Sequence, residues 1–127
     1  MAISGSSVIR IELNDRGDPA AWDLTEATMT MDDAWHDLDL SAIVPADAAW
    51  VLLRVLISDP NIDDSLQFRK NGNINTYAVS RVICQVANQN IEAELLVPCD
   101  AARVIEYLAN AVITSINIVV LGWINGA

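Results

Sequence analysis

The sequence predicts an all-β protein, a single antiparallel β-sandwich of about eight strands. Three observations lead there. Apolar residues alternate at every second position over most of the chain, the period of a strand with one buried face. The segments so patterned recur at spacings of roughly 8–12 residues or somewhat more, as in sandwiches and barrels. The four prolines fall between these segments and mark their ends. At 127 residues one domain spanning 1–127 is expected, large enough to bury a real core. Residues 1–34 either complete that sandwich or form an N-terminal arm.

The first strand is expected in "SVIRIEL" (7–13), where Val8, Arg10 and Glu12 alternate with Ile9, Ile11 and Leu13. "NDRGDPAAWD" (14–23) has the Asp, Gly and Pro chemistry of a turn. "EATMTMDD" (26–33) reads as a second strand with Ala27, Met29 and Met31 on one face. "WHDLDLSAIVP" (35–45) carries Trp35, Leu38 and Leu40 to a stop at Pro45. "AWVLLRVLIS" (49–58) is the clearest strand of all. Val51, Leu53, Val55 and Ile57 point one way and Trp50, Leu52, Arg54 and Leu56 the other. Both rows are apolar apart from Arg54, before the terminal Ser58.

After the loop "DPNIDDS", the run "LQFRK" leads into Asn71-Gly72, a hairpin signal. "SRVICQVANQNIEAELLV" (80–97) reads as a second hairpin turning at Asn88-Gln89. It would pair Val86 with Ile91, Cys84 with Ala93 and Val82 with Leu95, all on one side, with Gln85, Glu92 and Glu94 on the other. "DAARVIEYLANAV" fits two readings. Val104, Ile105, Leu108, Ala111 and Val112 have helical spacing with Asp100 as N-cap. The strand reading is preferred because its neighbours are strands.

The chain closes on "TSINIVVLGWINGA". Ile116, Ile118, Val120, Gly122 and Ile124 are expected to face the core, and Val119, Leu121 and Trp123 the outside. An outer row that apolar needs a cover. With Leu52, Arg54 and Leu56 of the 49–58 strand it is the expected oligomer interface.

Composition agrees with a buried outer surface. Apolar residues make up 53% of the chain and charged ones 19%, against about 45–50% and about 25% in ordinary soluble domains. A membrane is not the expected sink, because no run of about 18 uninterrupted apolar residues exists. "MAISGSSVIRIEL" lacks the basic flank and apolar block of a secretory signal. The chain is therefore expected to be made in the cytoplasm and to stay there or leave by lysis. The net charge is −10. Thirteen of the seventeen acids lie in residues 1–64 against Arg10, Arg16 and Arg54. Nucleic acid is excluded as a partner, since it requires a basic footprint.

Chemistry is scarce. The one histidine, His36, sits among Asp32, Asp33, Asp37 and Asp39, where a solvent-facing role outweighs a metal site. Asp59, Asn61 and Asp63 have the first three spacings of a calcium loop. Asp64 stands where that loop requires Gly, and Lys70 where it requires a bidentate Glu. These three are the metal candidates, and a polar turn is the default. Cys84 and Cys99 are read as two buried free thiols, too far apart along the ladder for a disulfide. No base stands beside a nucleophile, so no enzyme is expected and no cofactor is implied. Arg69, Lys70, Asn71 and Gly72 form a basic tip that either salt-bridges a neighbour or guards a hairpin edge. Trp22, Trp35, Trp50 and Trp123 are candidates for sugar stacking, with core or interface use preferred.

Five short motifs, spread over residues 35 to 125, resemble one family. They are Asp39-Leu40-Ser41, Val44-Pro45, Phe68-Arg69 before Gly72, Ile105-Glu106-Tyr107 and Gly122-Trp123-Ile124. Together they are similar to the short jelly-roll-like β-sandwich structural proteins of tailed phages, the head decoration proteins, head fibres and small tail modules. The resemblance implies a jelly-roll-like fold and a non-enzymatic virion protein. It also implies self-association, commonly as a homotrimer, and contact with the major capsid protein or another virion protein. The alternative from the residues themselves is a carbohydrate-binding, host-adsorbing module that uses Trp22 or Trp35 with a calcium loop at Asp59–Asp63.

Overall fold

A computed structural model describes residues 11–126. Nine strands follow in chain order: β1 (Leu13–Asp15), β2 (Leu24–Thr25), β3 (His36–Asp39), β4 (Ala48–Ser58), β5 (Ser65–Lys70), β6 (Ser80–Ile83), β7 (Ile91–Pro98), β8 (Val104–Ala109) and β9 (Ser115–Asn125). They form two antiparallel sheets packed as a β-sandwich. One has the order β1-β9-β4-β7, with β2 also on β9; the other has the order β3-β8-β5-β6.

The core lies where the alternation places it. Val51, Leu53, Val55 and Ile57 of β4, with Ile116, Ile118 and Val120 of β9, are fully buried beneath one sheet. Leu66 and Phe68 of β5, with Ile105, Tyr107 and Ala109 of β8, face them from the other. Each large aliphatic side chain so buried contributes roughly 1.5–3 kcal/mol relative to exposure. The segment with two readings is the strand β8, and its buried row is Ile105, Tyr107 and Ala109.

Five expectations are corrected. The hairpin of 80–97 does not form: β6 pairs with β5 and β7 with β4, in different sheets. Val82 and Cys84 do share the core with Leu95 and Val97, but across the sandwich instead of along one ladder. A one-sided apolar set satisfies either arrangement, so alternation alone does not choose between them. Residues 26–33 are not a strand; Glu26–Thr28 make a single 3-10 turn, and Met29 is buried just after it. Asn71-Gly72 does turn, with Gly72 at φ +94°, but the chain returns only at Ser80. The first strand proper begins at Leu13 and runs into the predicted turn; residues 7–10 of the expected strand lie outside the described residues.

The fifth correction concerns the last strand. Leu53 pairs with Val120 but Leu52 with Gly122, so Leu121 is the extra residue of a β-bulge. One inserted residue reverses the facing of everything beyond it. Trp123, opposite Val51, therefore packs against the core, while Gly122 and Ile124 turn outward.

Candidate assembly surface

On the outer face of the five-stranded sheet the register lines up two rows at the end where β9 finishes. Leu13, Ile124, Trp50 and Pro98 form one row across β1, β9, β4 and β7. Asp15, Gly122, Leu52 and Leu96 form the next. Leu13, Trp50 and Leu96 are exposed and Leu52 and Ile124 half-buried. Four strands thus present an apolar patch that no part of the described chain covers fully.

Further along the same face the chain covers itself. β1 leaves β9 at Asp15 and β2 rejoins it at Leu24. The excursion between them lays Pro19, Ala20, Ala21 and Trp22 along an open cleft of about 350 Å³, whose other wall is Arg54, Val119 and Leu121. The Trp22 ring lies 5.1 Å from the Arg54 guanidinium, a cation–π contact. Arg54 is also ion-paired with Glu92. Val119 is only 7% exposed within this single chain. The apolar outer row of β9 is therefore closed largely by residues 16–23, and it needs no second subunit for that.

Backbone and charge hold the excursion in place. The Arg16 amide donates to Leu121 O at 2.9 Å and the Asp23 amide to Ile118 O at 2.8 Å. Arg16 and Asp23 are ion-paired with each other, and Arg16 Nη1 donates to Val120 O at 3.3 Å. Gly122 is required beneath β1, since a Cβ there would overlap the Asn14 carbonyl.

Of the six predicted interface residues, then, Leu52 lies in the exposed patch. Arg54 and Leu56 are half-buried further along β4. Val119 and Leu121 lie under or beside the excursion, and Trp123 points inward. The patch residues Leu13, Leu96 and Ile124 were missed because facing depends on the bulge and on which strand neighbours β4.

The metal candidates do not converge. The Asp59 carboxylate is buried and taken up by Thr114 N (2.9 Å), Thr114 Oγ1 (3.1 Å) and Asn61 N (3.0 Å). Asp63 is exposed at φ +75° and makes its contacts through its backbone. Among the described residues no group of three or more His, Cys, Asp or Glu is placed to hold a metal ion. Asp64 instead interacts with Asp59, and its Oδ2 is buried without a hydrogen-bond partner. Their mutual contact pushes the Asp64 carboxyl above the ordinary Asp range. Burial disfavours the Asp59 charge, but the donors from Asn61, Asp64 and Thr114 outweigh it and hold Asp59 low.

His36 meets Asp32 at 2.7 Å, and the His36 and Tyr107 ring centroids lie 5.8 Å apart. Cys84 and Cys99 are free and buried at opposite ends of the sandwich, and burial pushes the Cys99 thiol up. Trp35 covers the guanidinium of Arg69 at 3.9 Å on the outer face of the four-stranded sheet. Arg69, 8% exposed, pairs with Glu106 at 2.6 Å. That pair takes one charge out of the predicted basic tip. Trp22 and Trp35 lie on opposite outer faces and cannot form one platform.

Among the described residues no helix is long and apolar enough to cross a membrane. Comparison with models of known protein families and with curated protein sequences finds no match to the chain.

Proposed function

We propose that this chain is a non-enzymatic structural protein of a virus particle. It self-associates, as a trimer, and caps, cements or extends the particle by contact with the major capsid protein or another virion protein. The observation that carries this reading is the apolar patch of Leu13, Leu52, Trp50, Leu96 and Ile124, rigidly held on four strands. Contiguous exposed apolar surface of this kind marks interaction sites.

The strand order supports a jelly-roll reading of the sandwich. From β3 onward the chain moves to the other sheet at every connection except β5–β6, and its last strand lies centrally beside β4. Viral capsid domains use that architecture, as do lectins. The non-enzymatic part is supported by the engagement of His36 with Asp32 and by the burial of both thiols. Affinity purification of tagged chain from infected cells tests the proposal. Co-purification with intact particles is expected, and recovery free of any virion protein contradicts it.

A second reading rests on the cleft between Trp22 and Arg54, which has the aromatic wall and charged flank of a sugar site. A glycan array run with and without EDTA separates the two. Specific, Trp22-dependent glycan retention favours the carbohydrate-binding module, and no retention favours the structural protein.

A further inference from the structure

The nine large apolar side chains exposed among the described residues fall into three groups. Leu13, Trp50 and Leu96 belong to the outer-face patch described above, and Ile11 lies just before β1. The other five sit on loops at the two ends of the sandwich, and these loops differ in charge.

At one end lie the β4–β5, β6–β7 and β8–β9 loops, together with the segment entering β3. Each of the three loops carries one exposed apolar tip, Ile62, Val86 and Val112, the last 70% exposed. Asp59 laces the loops together. Its carboxylate holds Thr114, and its carbonyl accepts the Asn88 amide at 2.9 Å. The entering segment is tied on by the Asp33 amide, which donates to Ala109 O at 3.0 Å. Residues 29–35, 59–64, 84–90 and 110–114 contain five aspartates and no Lys or Arg. Asp32, Asp33 and Asp63 among them are exposed.

At the other end the β5–β6 loop, residues 71–79, stands out from the sheet. Its Ile74 is 86% exposed and its Tyr77 97% exposed. The stretch 70–81 holds no acid and is flanked by exposed Lys70 and Arg81. In a chain of net charge −10, this apolar-tipped loop carries two exposed cations and no acid of its own, with Asp100 held against its base by Asn71 at 2.8 Å.

We propose that the β5–β6 arm of one copy docks on the acidic loop end of a second copy. The aromatic and aliphatic anchors Tyr77 and Ile74 would meet Ile62, Val86 and Val112. Lys70 and Arg81 would face Asp32, Asp33 and Asp63. Apolar anchors within a complementary charged rim are how such contacts gain both affinity and register. The two surfaces are different patches, so the contact is heterologous. Repeated about a three-fold axis it closes a ring; without closure it propagates a filament. This rests on the reading that the chain assembles and names the surfaces that do it.

A mixing experiment tests it. One variant carries Ile74→Ser and Tyr77→Ser, and a second carries Val86→Ser and Val112→Ser. All four positions are exposed, and circular dichroism with thermal unfolding checks that both variants fold as the parent does. Sedimentation velocity is expected to show parent oligomers, at least about tenfold weaker association for each variant alone, and a one-to-one heterodimer when the two are mixed. High salt is expected to weaken that heterodimer. Variants that assemble as the parent does overturn the contact while leaving assembly through the outer face standing; folded variants whose mixture stays monomeric beside an oligomeric parent overturn the pairing of these two surfaces. A parent that is monomeric at every concentration overturns the contact as well, and co-purification with particles then judges the virion reading separately.

Discussion

The Asp23 carboxylate accepts the Val120 amide at 2.8 Å, in the gap between the places where β1 and β2 pair with β9. Residues 119–121 have no strand partner on that side. The Arg16–Asp23 pair supplies one in miniature, an acceptor for Val120 N and a donor for Val120 O. A buried backbone amide left unpaired costs free energy comparable to a lost hydrogen bond. This pair therefore satisfies the Val120 backbone where β9 has no strand neighbour on that side.

Replacing Asp23 with Ala removes the acceptor and strands a half-buried guanidinium. A loss of roughly 3 kcal/mol is expected, read as a lower urea midpoint at unchanged slope. Loss below about 0.5 kcal/mol would mean that solvent serves Val120 equally well.

Gly122→Ala places a methyl where the Asn14 carbonyl lies. β1 must shift off β9, at a cost of roughly 1–3 kcal/mol. Hydrogen exchange is expected to speed up at the amides linking β1 to β9 while β4 and β7 stay protected. Unchanged exchange at β1 would contradict the close approach.

The Asp59–Asp64 contact gives a pH dependence whose sign is fixed. Asp64 is raised in the folded protein, so folding favours its protonated form. Its contribution is fully present below the unfolded Asp value near 3.8 and is lost as pH rises through the raised folded value. Asp64→Asn keeps a donor to Asp59 at every pH. The variant is expected to gain about 1 kcal/mol relative to the parent at neutral pH and to lose this part of the pH dependence, measured by urea denaturation at stepped pH. Parallel curves for parent and variant would contradict the interaction of the two carboxyls.

Asp100 works in the opposite sense. Its carboxylate accepts Val104 N (2.9 Å), Asn71 Nδ2 (2.8 Å) and Ala102 N (2.9 Å), which hold its carboxyl low. Its contribution is present above the ordinary Asp value and is lost as pH falls through the depressed one. Asp100→Ala is expected to cost roughly 1–3 kcal/mol at neutral pH, with the difference from the parent shrinking in acid.

The strands β3, β4, β5, β8 and β9 were legible because period-2 alternation is a local property of sequence. So was the buried row of β4, since Val51 through Ile57 alternate without a break. Which strands pair is not local. Val82 and Leu95 share the core whether they are neighbours in one sheet or face each other across two. The bulge at Leu121 was also invisible, because no residue there announces it; Gly122 is needed for the approach of Asn14, a contact about 108 positions away in sequence. The cover over Val119 was misassigned to another subunit for the same reason. Its source, Trp22, sits in a segment whose Gly and Pro mark only a turn.

Sedimentation equilibrium of the purified chain over a wide concentration range tests the assembly claim most directly. A reversible, concentration-dependent oligomer is predicted, weakened when Trp50 and Leu96 are both changed to Ser. A parent chain that stays monomeric up to the highest soluble concentration would contradict it.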